Sequence, residues 1–175
     1  LKKLEYRGYD SAGIALISPK ELIVEKEKGK VSNLEELISK FKDTNFNIGI
    51  AHTRWATHGE PSKHNAHPHT DQSGNIAIVH NGIIENYATL KKYLEKKGHA
   101  FSSETDTEIF AHLIEENYSG DILEAVRMSV KEITGSFAFA VVHKDHKDTI
   151  IAAKKGSPLI IGVGKDEMFL ASDIS

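Results

Sequence analysis

Two stretches of the chain begin as short apolar segments and end in polar side chains that could do chemistry. Ile48–Gly59 reads IGIAHTRWATHG and Ile76–Asn86 reads IAIVHNGIIEN, and each starts with β-branched residues typical of a buried strand. A buried strand that ends in such groups presents them to a site. Arg54 carries a planar fork of donors suited to a carboxylate or a phosphate, and Trp55 supplies a broad face with one N–H donor. The two stretches therefore predict a small-molecule site.

The pair Asn81-Gly82 has two interpretations. Both residues tolerate positive φ, so the pair is typical of a type I′ hairpin turn. Alternatively, the Asn81 side-chain amide and the Gly82 backbone N–H form an oxyanion hole, because both are donors that can stabilise one developing negative charge. The local pattern alone favours the turn.

Asp106 follows Thr105, which is predicted to begin a helix. A carboxylate in the first turn of a helix is favoured by the helix dipole, which is a sufficient structural reason for it. It could also receive the ammonium group of a substrate. Arg54 and Asp106 would together complement the two charges of a free α-amino acid. Arg7 lies in a predicted break after the first helical segment and is interpreted as a turn residue.

Histidine is concentrated in one region, because six of the ten histidines lie between residues 52 and 80. These six are His52, His58, His64, His67, His69 and His80. A catalytic zinc site would also need a rigid platform or a carboxylate ligand such as H-E-x-x-H supplies, and the proline between His67 and His69 favours hydrogen bonds that order a loop. His112, one turn after Glu108, is interpreted as forming a solvated or structural pair with it rather than a pair of ligands. We expect no metal and no cofactor.

Composition and motifs exclude several classes of protein. The net charge of −3, from 22 basic and 25 acidic residues, gives no electrostatic reason to expect binding to nucleic acid or to an anionic membrane. The apolar segments are too short to span a membrane, so no membrane association is expected. No nucleophilic-serine elbow and no phosphate-binding glycine loop is present. The absence of cysteine fits an intracellular protein, and we expect a soluble, cytoplasmic one.

The surrounding pattern predicts the elements that position these residues. A hairpin is expected at SAGIALIS and ELIVEK, followed by a helix from Ser32, as its cap, to Phe41. Further helices are predicted at Glu85–Lys97, from Thr105 and at Asp121–Ile133, and a polar loop at residues 60–75. The segments SFAFAVV, TIIAA, PLIIGV and MFLAS then predict consecutive antiparallel strands. This order indicates a single α+β domain with antiparallel sheets.

Five motifs together resemble a known family. They are LEYRGYDSAG at residues 4–13, HTRWATHG at 52–59, NAHPH at 65–69, HNGIIEN at 80–86 and SETDTE at 103–108. The chain resembles the class II glutamine amidotransferases of the N-terminal-nucleophile fold, and within them the glutaminase domains of the glucosamine-6-phosphate synthase family. The resemblance implies a four-layer αββα sandwich of two antiparallel sheets. It also implies that glutamine is hydrolysed and that its ammonia converts fructose 6-phosphate to glucosamine 6-phosphate in other domains.

The resemblance also implies roles for individual residues. Arg54 would bind the α-carboxylate of glutamine and Asp106 its α-ammonium group. Asn81 and the N–H of Gly82 would form the oxyanion hole, so the resemblance reverses the preference for a turn. The remaining residues it assigns line the pocket or brace the nucleophile segment; they are Trp55, Thr57 and His58 for the pocket and Arg7 for the segment.

In that family the nucleophile is an N-terminal cysteine activated by its own amino group, and the chain has none. We therefore expect residues 1–175 to be a partial amidotransferase domain, truncated at both ends and inactive by itself. Its parent enzyme is expected to be a homodimer that associates through the absent isomerase domains. Two alternatives remain: an amino-acid-binding regulatory module without catalysis, and the glutaminase domain of another class II amidotransferase.

Overall fold

The computed structural model describes residues 1–7, 9–55, 60 and 62–174, and in these it has three antiparallel sheets. The first sheet, in the order β2-β1-β3, consists of β1 (Ser11–Ile17), β2 (Leu22–Lys28) and β3 (Ile48–Arg54). The second, in chain order, consists of β4 (His69–Thr70), β5 (Ile76–Ile84), β6 (Gly135–His143) and β7 (Ile151–Lys155). The third is a two-stranded sheet of β8 (Ile160–Val163) and β9 (Met168–Ala171).

Helices flank the sheets. The α-helices are α1 (Val31–Ile38), α2 (Tyr87–Lys96), α3 (Asp106–Glu116) and α4 (Ile122–Glu132), with 3-10 helices at Lys2–Arg7 and Ser39–Phe41. Thr105 caps α3 as predicted, because its hydroxyl accepts a hydrogen bond from the Glu108 N–H at 3.3 Å. The predicted Ser32 cap is wrong. Lys30 occupies the cap position, two residues earlier, and Glu5 Oε1 accepts from the Val31 N–H at 2.9 Å.

The alternation of side chains along each strand produces the layers. In β1, Ala15 and Ile17 pack with Ala77 and Val142 of the second sheet, whereas Ala12 faces α1. The opposite face of the second sheet packs against α2, α3 and α4 through a core that includes Ile78, Phe110, Leu113, Phe139 and Val141. The predicted αββα sandwich of antiparallel sheets is therefore confirmed.

Two local predictions require correction. Asn81-Gly82 is not a hairpin turn, because both residues lie inside β5 and pair with Ala138 and Phe137 of β6. The last four strands are not one consecutive set either. β7 pairs with β6, whereas β8 and β9 pair with each other in a separate sheet. Turn propensity and strand order along the chain are local signals, and they do not specify which strands pair.

The segment at residues 60–75, predicted as a polar loop, is partly internal where the structure describes it. Residues 65–69 are buried, and the loop contributes β4 to the second sheet. A Cβ atom at Gly13 would lie 2.2 Å from the His67 carbonyl oxygen, so the glycine in β1 lets this segment approach the first sheet. In the described part of the chain, no helix is both long and apolar enough to cross a membrane.

Candidate functional site

A cavity of about 810 Å³ opens where β3, β5, β6 and the start of α3 meet. Five of the predicted site residues line it, namely Arg54, Trp55, Asn81, Gly82 and Asp106. These residues come from two sheets and a helix, so the tertiary structure brings together groups that are up to 52 positions apart in the chain. The predicted residues Thr57 and His58 lie outside the described residues. Arg7 ends the first 3-10 helix, and its side chain is also outside the described part.

Arg54 is the last residue of β3 and is only 5% exposed. Its Nη1 lies 3.7 Å from Asp10 Oδ1, and the Asp10 N–H donates to the Arg54 carbonyl at 2.8 Å. The guanidinium is thus held in place at the edge of the cavity. Trp55, the next residue, is 66% exposed and adds an aromatic surface beside it.

Asp106 is the first residue of α3 and is half-buried. Its Oδ2 accepts a hydrogen bond from the Ile84 N–H at 2.8 Å, which ties the carboxylate to the end of β5. Thr107 Oγ1 donates to Oδ1 at 3.3 Å. A buried guanidinium and an oriented carboxylate on one cavity suit a small molecule that carries both charges.

Asn81 is oriented by a histidine of the opposite sheet. His52 Nε2 lies 2.8 Å from Asn81 Oδ1. Burial, more than any other cause, lowers the pKa of His52 to about 4, so its imidazole is neutral near pH 7. A neutral imidazole has one N–H. With that N–H donated from Nε2 to Oδ1, the Asn81 NH₂ group is left to interact with the cavity.

Gly82 occupies a position that other residues fit poorly. Its φ is +133°, and a Cβ atom would lie 2.1 Å from the Ser136 carbonyl oxygen. The residues two before and two after it donate their N–H groups to side chains: His80 to His67 Nδ1 at 3.3 Å, and Ile84 to Asp106. N–H groups two residues apart on a strand point to the same side. The Gly82 N–H therefore belongs to the edge of β5 that β6 does not cover.

The histidines around the cavity form a neutral hydrogen-bonded cluster. The rings of His52 and His67 stack with centroids 4.5 Å apart. His69 contacts Thr105 and His80 contacts Thr107, each pair at 3.0 Å. Burial lowers the pKa of His67 and His69 well below the usual value, and that of His80 also falls, mainly through burial. The expected loop-ordering hydrogen bonds are therefore present.

Sequence reasoning missed two features. It recognised His52 as part of a histidine-rich region but gave it no partner, because the contact with Asn81 crosses from one sheet to the other. His112 and Glu108, expected to be neighbours on one helix face, have separate hydrogen-bond partners. Glu108 accepts hydrogen bonds from Ser102 and Ser103, whereas His112 Nδ1 lies 3.0 Å from His99 Nδ1.

Two antiparallel sheets packed face to face between helices, with a cavity that several charged and polar side chains line, are the arrangement of the N-terminal-nucleophile αββα domains. Within that class, the chain belongs to the family described as the glutamine amidotransferase domain, whose model matches residues 52–175.

The curated relatives agree in name. The chain is 59% identical over 174 residues to the glutamine–fructose-6-phosphate aminotransferase (isomerizing) of Aquifex aeolicus and 55% identical over 175 residues to that of Thermotoga maritima. These matches cover 99% and 100% of the chain but only 29% of each relative. The chain thus spans less than a third of the length of these relatives.

Solved structures share the fold. The glutamine phosphoribosylpyrophosphate amidotransferase of Bacillus subtilis, complexed with ADP and GMP, superposes with a TM-score of 0.81 at 28% identity, covering 98% of this chain and 37% of that one. A glutamine aminotransferase class-II domain protein from Silicibacter pomeroyi gives a TM-score of 0.58 at 15% identity, covering 86% of this chain and 73% of its own, which is a likeness of fold alone.

Proposed function

We propose that this chain is the glutaminase portion of a glutamine–fructose-6-phosphate aminotransferase. Glutamine binds in the cavity and is hydrolysed to glutamate and ammonia, and other domains of the complete protein use the ammonia to convert fructose 6-phosphate to glucosamine 6-phosphate. The observation that carries the proposal is the placement of Arg54, Asp106, Asn81 and Gly82 around one cavity. The proposal that fructose 6-phosphate receives the ammonia rests on the names of the relatives. We further propose that the complete protein is a cytoplasmic homodimer.

Arg54 and Asp106 are proposed to hold the two charges of glutamine. The guanidinium of Arg54 offers two parallel N–H donors to the α-carboxylate, which a lysine cannot do. Asp106 accepts from the α-ammonium group, and its bond to the Ile84 N–H orients it for this. Trp55, Thr57 and His58 are proposed to line the pocket, and Arg7 to brace the segment that carries the nucleophile.

Asn81 and Gly82 are proposed to stabilise the transition state. A cysteine thiolate attacks the side-chain amide carbon of glutamine, and the carbonyl oxygen becomes negatively charged. The Asn81 NH₂ group and the Gly82 N–H donate to that oxygen. The cysteine's own amino group takes the thiol proton and passes it to the amide nitrogen, so collapse of the intermediate expels ammonia, and water then hydrolyses the thioester to glutamate and restores the thiol. The family's cysteine is not among the 175 residues, so experiments on turnover use the product of the complete gene.

Substrate analogues test the two charge assignments separately. Glutamine should bind more tightly than 4-carbamoylbutanoate, which lacks the ammonium group, and more tightly than glutamine amide, which lacks the carboxylate. Asp106→Asn should remove the preference over 4-carbamoylbutanoate, whereas Arg54→Lys should reduce the preference over glutamine amide. Calorimetry on the complete gene product, with its catalytic cysteine replaced so that glutamine is not hydrolysed, measures the affinities of the three ligands for each of the three proteins. If both variants discriminate as the unaltered protein does, the assignments are wrong.

The two alternative functions predict different results in the same preparation. A regulatory module would bind glutamine and release no ammonia. The glutaminase domain of another amidotransferase would release ammonia but would not form glucosamine 6-phosphate from fructose 6-phosphate. Measuring glutamate, ammonia and amino sugar together therefore distinguishes all three functions.

A further inference from the structure

A second group of possible ligands lies at the far end of α3 from the cavity. It consists of His99, which follows α2, and of His112 and Glu115 on α3. One ligand atom from each residue lies within 4.8 Å of the other two, and it is the one such group among the residues that the structure describes. From this geometry we propose that the three residues bind a divalent transition-metal ion of the Zn²⁺ type. We call the group the α2–α3 metal site.

The spacing of the ligand atoms fits tetrahedral coordination. With metal–ligand bonds of about 2.0–2.1 Å, two ligand atoms of a tetrahedral site are about 3.3 Å apart. His99 Nδ1 lies 3.0 Å from His112 Nδ1 and 3.6 Å from Glu115 Oε2. These two separations bracket the expected value, and His112 and Glu115 have ligand atoms within 4.8 Å of each other, so the three residues can converge on one ion with water as the fourth ligand.

The chemistry of the ligands selects the type of ion. Two imidazole nitrogens and one carboxylate oxygen suit Zn²⁺ and its neighbours, whereas Mg²⁺ and Ca²⁺ prefer oxygen ligands throughout. His112 is only 2% exposed, so its imidazole faces the other two residues of the group rather than bulk solvent.

Outer contacts hold the ligands in place. His99 Nε2 lies 3.4 Å from Glu116 Oε2, and this carboxylate also pairs with Lys97 at 2.9 Å. A ligating histidine typically donates its second N–H to such a carboxylate, which orients the ring. The His99 ring is thus supported on the side opposite its contact with His112.

The turn between β4 and β5 supports the remaining ligand. The backbone N–H groups of Gln72 and Ser73 donate to the two oxygens of Glu115 at 3.0 and 3.1 Å. Gln72 Oε1 also accepts from the Ala100 N–H at 2.7 Å, which ties the residue after His99 to the same turn. The turn therefore fixes both Glu115 and the segment that carries His99. A metal bound there would link this turn, the end of α2 and α3.

Zinc binding to the complete gene product, first stripped with a chelator, tests the proposal. We expect Zn²⁺ to compete with a chromophoric chelator and to raise the midpoint of thermal unfolding, since an ion that binds the folded state stabilises it. Glu115→Gln and His99→Gln should each weaken this Zn²⁺ binding at least tenfold. The glutamine at position 115 keeps an oxygen for the turn, so this variant is expected to fold, and circular dichroism checks that it does.

His146→Gln is the matched control, because His146 is a half-buried histidine outside the site that contacts Tyr118. It should bind Zn²⁺ as the unaltered protein does. In the unaltered protein, Co²⁺ should give the ligand-field spectrum of a tetrahedral site, and Zn²⁺ should abolish it. If His99 and His112 share only a hydrogen bond, no Co²⁺ spectrum appears and the variants bind Zn²⁺ as the unaltered protein does. Either result overturns the proposal.

Discussion

His52 on β3 and Asn81 on β5 are joined across the two sheets by a contact of 2.8 Å between Nε2 and Oδ1. The contact fixes which end of the Asn81 amide interacts with the cavity, because the oxygen is occupied by His52. A side chain in the first sheet thereby orients a proposed donor of the second. His52 is therefore a positioning residue, because it acts through Asn81 and has no proposed contact with the reacting atoms.

Replacing His52 tests this positioning role. His52→Leu should lower kcat for glutamine hydrolysis by about tenfold or more, up to the roughly hundredfold to thousandfold typical of losing one oxyanion donor, and leave KM nearly unchanged. His52→Gln keeps a donor for the Asn81 oxygen and should recover part of kcat. Steady-state kinetics of the complete gene product give both constants. A leucine variant with unaltered kcat would show that the contact only supports the fold.

Removing the Asn81 amide should affect turnover more than binding. Asn81→Ala is expected to cost about 2.7–4 kcal/mol of transition-state stabilisation, whereas glutamine affinity changes little, because the oxyanion exists only during the reaction. Turnover is measured on the complete gene product, and affinity by calorimetry on the same protein with its catalytic cysteine replaced. Asn86→Ala is the control, since Asn86 bonds to Glu132 and Thr134. This control should lower the melting temperature but keep the turnover of each folded molecule.

Arg54→Lys keeps the charge but loses the two parallel donors. We expect glutamine affinity to fall at least tenfold, or about 1.4 kcal/mol, more than conservation of charge would suggest. Arg127→Lys, on the exposed face of α4 beside Glu124, is the matched control and should not change affinity. Calorimetry compares the three proteins. Equal glutamine affinity in all three proteins would show that Arg54 does not bind the α-carboxylate.

Two glycines with positive φ separate backbone strain from steric clash. Gly82→Ala should destabilise the protein by more than Gly74→Ala, because a Cβ at Gly82 would meet the Ser136 carbonyl whereas a Cβ at Gly74 meets nothing within 4 Å. Strain in the left-handed region alone costs about 1–2 kcal/mol. Urea unfolding should give that value for Gly74→Ala and a larger one for Gly82→Ala. Equal losses would mean that β5 relaxes away from β6 without cost.

The buried neutral histidines should make stability depend on pH. The pKa of His52, His67 and His69 is lowered by folding, mainly through burial. Above pH 6.5 both the folded and the unfolded states are neutral at these residues. As the pH falls below 6.5 the unfolded state binds protons that the folded state does not, so stability decreases, and for His52 the decrease continues to about pH 4.

Each such histidine contributes a slope of up to about 1.4 kcal/mol per pH unit in this window. Urea unfolding between pH 7 and 5 measures the slope, which His67→Gln should reduce. A free energy of unfolding that stays constant over this range would contradict the prediction.

Much of the architecture follows from local patterns in the sequence. The period-two alternation of the strands, the apolar faces of the helices and the Thr105 cap all specify elements that the structure contains. The apolar-to-polar transition after Ile50 identified Arg54 as a residue at the end of a buried strand. These features depend on neighbouring residues in the chain, so the sequence by itself determined them.

The remaining features were decided by how the strands and helices pair in the tertiary structure. Asn81-Gly82 has the composition of a turn, yet nine residue pairs between β5 and β6 keep it extended, because the ladder as a whole outweighs the preference of two residues. Similarly, the sequence contains His112 and Glu115 at the i, i+3 spacing that places them on one face of a helix, but only the packing of α2 against α3 brings His99 beside them. His52 meets Asn81 only because two sheets stack in one register. Such contacts join residues far apart in the chain, and no local preference encodes them.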